Sequence, residues 1–247
     1  MPEAGGSNII AGTLSMLGGG SDEPETDPQG QGSGPAVPMG GGGGDGATSD
    51  MPLPPEGRIV IDGVNDFPAS ARHETTSPDY VGYAFADDIY LYFGMEGPDV
   101  NQGDGSRFVT VYIDGATSSR TQEGLLNNTQ TPQLSFEAGY AIRWKNNNDT
   151  TEGFFVENGD WAATDWDFEG LAFQAGPFVE FKVPLTWLGI TGAAEEIHFH
   201  MSMLNATDGS EWTFAGVPNS SFADGYDPNF QSHLTLSARD VSSAVGG

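Results

Sequence analysis

Between Arg58 and Asp114 apolar and polar residues alternate in three segments, each closed by an acidic turn. They read R-I-V-I-D-G-V-N-D-F, then Y-V-G-Y-A-F-A-D-D-I-Y-L-Y-F-G-M-E, then R-F-V-T-V-Y-I-D-G. A period of two sends successive side chains to opposite faces of an extended strand, so one face can be buried while the other meets water. The same period runs on along the chain. It predicts strands at 58–62, 80–86, 88–95, 107–113, 138–145, 152–157, 170–174, 177–183, 195–204, 211–215 and 232–237. Ile89, Leu91 and Phe93 share one face against Tyr90, Tyr92 and Gly94, and Phe178, Glu180 and Lys182 oppose Val179, Phe181 and Val183. Asp62-Gly63, Asp114-Gly115 and Asn158-Gly159 are turn dipeptides. No long segment carries an apolar stripe at helical spacing. Pro184 to Gly189, with proline at its start and glycine at its stop, predicts a single helical turn. The expected fold is all-β, an antiparallel β-sandwich with jelly-roll or immunoglobulin-like layers and long loops.

The first 57 residues break this pattern. They hold 16 of the 36 glycines, eight acidic residues and no Lys or Arg. So few large apolar side chains cannot bury enough surface to offset the entropy of ordering the segment. Residues 1–57 are therefore expected to form a flexible arm or linker, 58–240 the sandwich domain and 241–247 a tail. The hydrophobic run at 8–17 lacks a basic flank, and it is read either as a signal remnant or as a strand used in assembly. No stretch approaches the length of a membrane-spanning helix.

A net charge of −27, from 35 acids against two lysines and six arginines, makes nucleic acid and anionic lipid poor partners. It suits either solubility in a salty medium or the binding of cations. Cysteine is absent, which excludes disulfides, thiolate metal sites and thiol catalysis. Sequons at Asn127, Asn148, Asn205 and Asn219 are candidate glycosylation sites and suit an extracellular or cell-surface location. No nucleophile elbow, phosphate loop, zinc-protease helix or Ser/His/Asp set is present, so an enzyme is not expected.

Five tryptophans are the first candidates for chemistry, since a flat ring can stack on a sugar while polar neighbours take the hydroxyls. Trp161 and Trp166 lie in an acidic segment with Asp160, Asp165 and Asp167 as acceptors. They form either a ligand platform or a lid folded onto the sandwich edge. Trp144 is a further candidate if it faces outward from its strand, whereas Trp187 and Trp212 have apolar neighbours and are expected in the core. Asp99, Asn101 and Asp104 offer closely spaced oxygens on a glycine-containing loop, which suits calcium or an ordinary solvated turn. Asp62, Asp66, Asp87 and Asp88 are strand-end acids that either converge or simply form turns. His198 and His200 share a strand face, and with a third ligand could bind zinc or copper; without one they are exposed strand residues.

Several segments taken in order resemble the family 9 carbohydrate-binding modules and the related DOMON-like sandwiches. They are I-D-G-V-N-D-F at 61–67, A-D-D-I-Y-L-Y-F at 86–93, F-V-T-V-Y-I-D at 108–114, F-V-E-F-K-V-P-L-T-W-L-G at 178–189 and W-T-F-A-G at 212–216. The resemblance covers roughly 58–237. It implies sugar binding by aromatic side chains, often with structural calcium; some relatives carry haem, which is not expected here. The expected function is a non-catalytic extracellular module binding a polysaccharide or glycan, with calcium-braced loops. The alternative is a structural subunit of a filament, surface layer or virion, assembled with copies of itself through the N-terminal arm.

Overall fold

The computed structural model describes residues 59–101, 103–147, 151–191, 196–207 and 210–237. The expected arm at 1–57, the run at 8–17, the sequon at Asn148 and the tail at 241–247 lie outside them.

The described residues form an antiparallel β-sandwich without an α-helix. One sheet has five strands in the order β1 (Arg72–Glu74), β2 (Val81–Ala86), β3 (Tyr90–Glu96), β11 (Phe178–Pro184) and β10 (Ala172–Ala175). The other runs β13 (Trp212–Val217), β12 (Glu196–Asn205), β4 (Arg107–Ile113), β7 (Tyr140–Lys145), β8 (Thr151–Glu157) and β9 (Asp160–Ala163), with β14 (Leu234–Ser237) also paired to β12. A short two-stranded ribbon of β5 (Thr121–Glu123) and β6 (Gln133–Ala138) pairs outside both sheets. The turn expected after Pro184 is a 3-10 turn at Leu185–Leu188, stopped by Gly189 in the left-handed region at φ 71°.

Alternation builds the main core as anticipated. Leu91, Phe93 and Met95 of β3 and Val179, Phe181 and Val183 of β11 meet Val109, Val111 and Ile113 of β4, Ile142 and Trp144 of β7, and Phe199, Met201 and Met203 of β12. A second apolar cluster lies on the outer face of the larger sheet. There Tyr112 and Ala141 are covered by Leu125, Leu134, Phe136, Ala138 and Phe230.

Of the strand expected at 58–62, the described residues 59–62 form none. Residues 59–68 instead cross the outer face of the five-stranded sheet as an irregular strap, whose backbone N–H groups are bonded to side chains rather than to a ladder. The N–H groups of Asp62 and Gly63 donate to Oε1 of Glu180 on β11, at 2.8 and 2.6 Å. Phe67 packs against Tyr83 and Phe178, with centroids 5.3 and 6.3 Å away. Gly94 makes room for this: a Cβ there would sit 3.0 Å from the Phe178 ring and 3.2 Å from Phe67. Gly63 has φ +84°, and a Cβ would collide with Ala175 of β10.

Candidate functional site

At one end of the larger sheet an open groove of about 1000 Å³ is lined by Asn128, Thr129, Asn205, Ser210, Glu211, Trp212 and Tyr226. Its aromatic rings are among the most exposed large apolar side chains of the described residues, Trp212 at 47% and Tyr226 at 54%. Trp212 opens β13 opposite Asn205, the last residue of β12, where the pairing ends and the ring is left half exposed. Its expected place in the core is therefore corrected. Its strand companions Phe214, Ala215 and Val217 are buried, while the first residue of the strand is left outside.

The groove is held by bonds from several loops. Thr213 and Gly225 exchange N–H···O bonds of 2.8 and 2.9 Å, tying the Tyr226 segment to the strand that carries Trp212. The Tyr226 hydroxyl donates to the Thr129 carbonyl at 2.9 Å, and the Thr129 hydroxyl donates to Glu211. Buried Gln130 accepts from the Thr213 hydroxyl at 2.9 Å and from the Asp227 N–H at 3.0 Å. Asn205 donates to the Ser210 carbonyl at 2.9 Å and accepts from Arg107 Nη1 at 2.6 Å, while Arg107 Nε is paired with Asp99 at 2.9 Å. Asn128 reaches the Ala206 carbonyl at 3.2 Å from a backbone at φ 54°. Two aromatic faces, amides, hydroxyls and one carboxylate thus share a concave surface whose lining contains no lysine or arginine. Such a lining can stack on an uncharged ring and bond its hydroxyls.

The other candidate residues are placed elsewhere. Trp161 and Trp166 lie on opposite faces of the larger sheet. Trp161, opposite Val156, donates from Nε1 to the Glu123 carbonyl at 2.8 Å and packs against the outer cluster beside Tyr112. Trp166 covers the inner face at Gly153, stacked on Trp187 at 5.0 Å and on Tyr140 at 5.8 Å. They do not make one platform, and Trp166 has the position of a lid at the sandwich edge. Asp160, Asp165 and Asp167 are exposed around them, and Asp167 caps the Glu169 N–H at 2.9 Å.

Trp144 corrects the expectation of an outward ring. It is 1% exposed, because it shares its face with Ile142, while Arg143 and Lys145 take the other. His200 is likewise fully buried rather than exposed, with Phe230 stacked on it at 3.8 Å. Burial drives its pKa down to about 3, so the ring is neutral.

The loop expected to suit calcium spends its carboxylates on protein partners. Asp99 pairs with Arg107, and Asp104 accepts from Ser106 at 2.9 and 2.7 Å and from Asn146 at 3.3 Å, bonds that hold its pKa below the usual range. Asn101 is exposed, and no group of three or more His, Asp or Glu among the described residues is arranged to hold a metal ion. Asp87 accepts from the N–H groups of Ile89 and Tyr90 and from the Tyr92 hydroxyl, at 2.6 to 2.7 Å, making it a turn former. Asp62 and Asp66 cap N–H groups within the strap, and Asp88 is exposed. Of the sequons, Asn127 is buried and bonded to Leu125 and Arg143, Asn205 is spent on the groove wall, and Asn219 is exposed.

No described helix is long and apolar enough to cross a membrane. Comparison with known proteins finds no family model, no curated protein and no solved structure that matches this chain.

Proposed function

We propose that this chain is a non-catalytic glycan-binding module, in the manner of the family 9 carbohydrate-binding modules its sequence resembles, and that the Trp212–Tyr226 groove is where it binds. The exposed aromatic pair, framed by preorganised amides and hydroxyls, carries this reading. Trp212 and Tyr226 stack on sugar rings, and Asn128, Ser210 and Glu211 take hydroxyl hydrogen bonds. A rim already fixed by its own bonds loses little conformational entropy when a ligand arrives.

The lining also selects. Glu211 is its one charged side chain, and the chain as a whole carries a net charge of −27. Neutral polysaccharides fit, whereas sulfated or uronic acid polymers are repelled. An extracellular setting follows from such a ligand.

Affinity electrophoresis against soluble neutral and anionic polysaccharides tests the proposal. At least one neutral polymer should retard the protein. Trp212→Ala and Tyr226→Ala should each weaken that interaction at least tenfold, on the order of 1.4 kcal/mol or more. Trp161→Ala should leave it unchanged. Retention by no neutral polymer, or retention indifferent to both groove substitutions, would overturn the assignment.

A further inference from the structure

The outer face of the larger sheet brings together two histidines that lie far apart in sequence. His198 is on β12 opposite Thr235 of β14, and His233 immediately precedes β14, so the rings meet across that pairing. Their centroids are 4.9 Å apart and their planes are 75° to one another.

Each ring is oriented through its Nδ1. His198 Nδ1 meets Asp114 Oδ2 at 2.9 Å, and Asp114 is itself fixed because its Oδ1 accepts from the N–H groups of His198 and Gly115 at 3.0 and 2.7 Å. His233 Nδ1 meets the Ser135 hydroxyl at 3.1 Å. Phe136 packs beside both rings, 6.4 Å from His198 and 5.0 Å from His233. Neither Nε2 has a hydrogen bond to protein among the described residues, and the His198 side chain is 36% exposed.

We propose that His198 and His233 form a two-imidazole site for a divalent late transition metal, Cu²⁺ in preference to Ni²⁺ or Zn²⁺. An imidazole whose second nitrogen is held by a carboxylate or hydroxyl is the usual arrangement around a bound metal, since the partner fixes the tautomer and aims the free nitrogen. The spacing fits as well. With metal–nitrogen bonds of about 2.0 Å, two imidazoles in adjacent coordination positions hold their centroids roughly 4.5–5 Å apart.

No third His, Asp or Glu among the described residues completes the set, so solvent fills the remaining positions. Two nitrogens with open oxygen positions suit the tetragonal geometry of Cu²⁺, which also heads the affinity order for such donors.

The test is a titration of the untagged full-length chain with Cu²⁺ in the presence of a weak competing chelator, followed by electron paramagnetic resonance. One ion per chain should bind, with a tetragonal spectrum carrying hyperfine structure from two imidazole nitrogens. His198→Gln and His233→Gln, both at partly exposed positions, should each weaken binding at least tenfold and lose one nitrogen from the spectrum. His73→Gln should do neither. Copper binding that survives both substitutions unchanged, or that shows only oxygen donors, would place the ion on the surface carboxylates and overturn the proposal. The absence of saturable binding would overturn it equally.

Discussion

Two buried titratable side chains give this domain opposing responses to pH. Glu180 is fully buried; Oε1 accepts two strap N–H groups, while Oε2 has no hydrogen-bond partner among the described residues. Desolvation outweighs those bonds and, with Asp66 and Asp62 nearby, raises its pKa to about 7. The folded state therefore holds this proton more tightly than the unfolded chain, and stability falls as pH rises from the ordinary glutamate value towards 7. The shift corresponds to about 3 kcal/mol. His200 acts the other way. Its pKa is depressed to about 3, so its contribution is complete above the ordinary histidine value and is lost as pH falls below it. Between roughly pH 4.5 and 6.5 the two slopes oppose one another. In urea denaturation across pH 4 to 8, Glu180→Gln should remove most of the loss on the alkaline side. His200→Gln should flatten the loss on the acid side while lowering stability throughout. An unchanged pH profile in either variant would show that the group is not protonated as assigned.

At the level of elements, β7 shows how one strand fixes both faces of the larger sheet. Trp144 faces the main core with Ile142, whereas Arg143 faces outward, bonding Glu152 at 2.7 Å and lying over Phe154 at 5.1 Å. Truncating Trp144 to alanine should destabilise the domain by about 3–5 kcal/mol, as large core deletions do. A thermal or urea midpoint equal to that of the parent protein would refute its place in the core. The alternation needed to orient Trp144 is present in Ile142-Arg143-Trp144-Lys145, and the strand at 107–113 is found where the pattern puts it. Other features depend on distant partners. The strap at 59–68 resembles a strand locally, but the bonds that tie it to the sheet, from the Asp62 and Gly63 N–H groups, go to Glu180, 118 residues from Asp62. Trp212 is followed in sequence by buried Thr213, Phe214 and Ala215, and only the end of the β12 pairing leaves it exposed. His200 is hidden by Phe230, and His233 reaches His198 only through β14, so neither relation has a local signature. The signal available for the groove was the polar run Asp208-Gly209-Ser210-Glu211 before Trp212, which suits a strand that starts at the surface.

For the whole molecule, charge is the dominant long-range term. The first 57 residues account for eight of the 35 acids, which leaves 27 acids against eight bases in the part that contains the sandwich. Among the described residues two carboxylate–guanidinium pairs occur, Asp99–Arg107 and Glu152–Arg143, so most of the negative charge is not neutralised by direct pairing. Compacting that charge costs self-repulsion, which salt reduces as the Debye length falls from about 10 Å at 0.1 M to about 3 Å at 1 M. Raising KCl over that range should therefore stabilise the fold by about 1 kcal/mol, or roughly 2–4 °C in melting temperature for a domain of this size. Chloride salts are the appropriate probe, because sulfate and phosphate strengthen apolar burial by another route. A melting temperature that is flat or falls with KCl would mean that the unfolded chain feels the repulsion as strongly as the folded one. Calcium chloride at matched ionic strength separates screening from specific binding. If the acids act only as a diffuse charge, Ca²⁺ and K⁺ give the same curve. A calcium-specific gain at submillimolar concentration would instead identify a coordinating loop, and alanine substitution at Asp99 or Asp104 would show whether it is the one between β3 and β4. Binding of a neutral polysaccharide in the Trp212–Tyr226 groove should vary little across the same salt series, because stacking and hydroxyl bonding neutralise no charge.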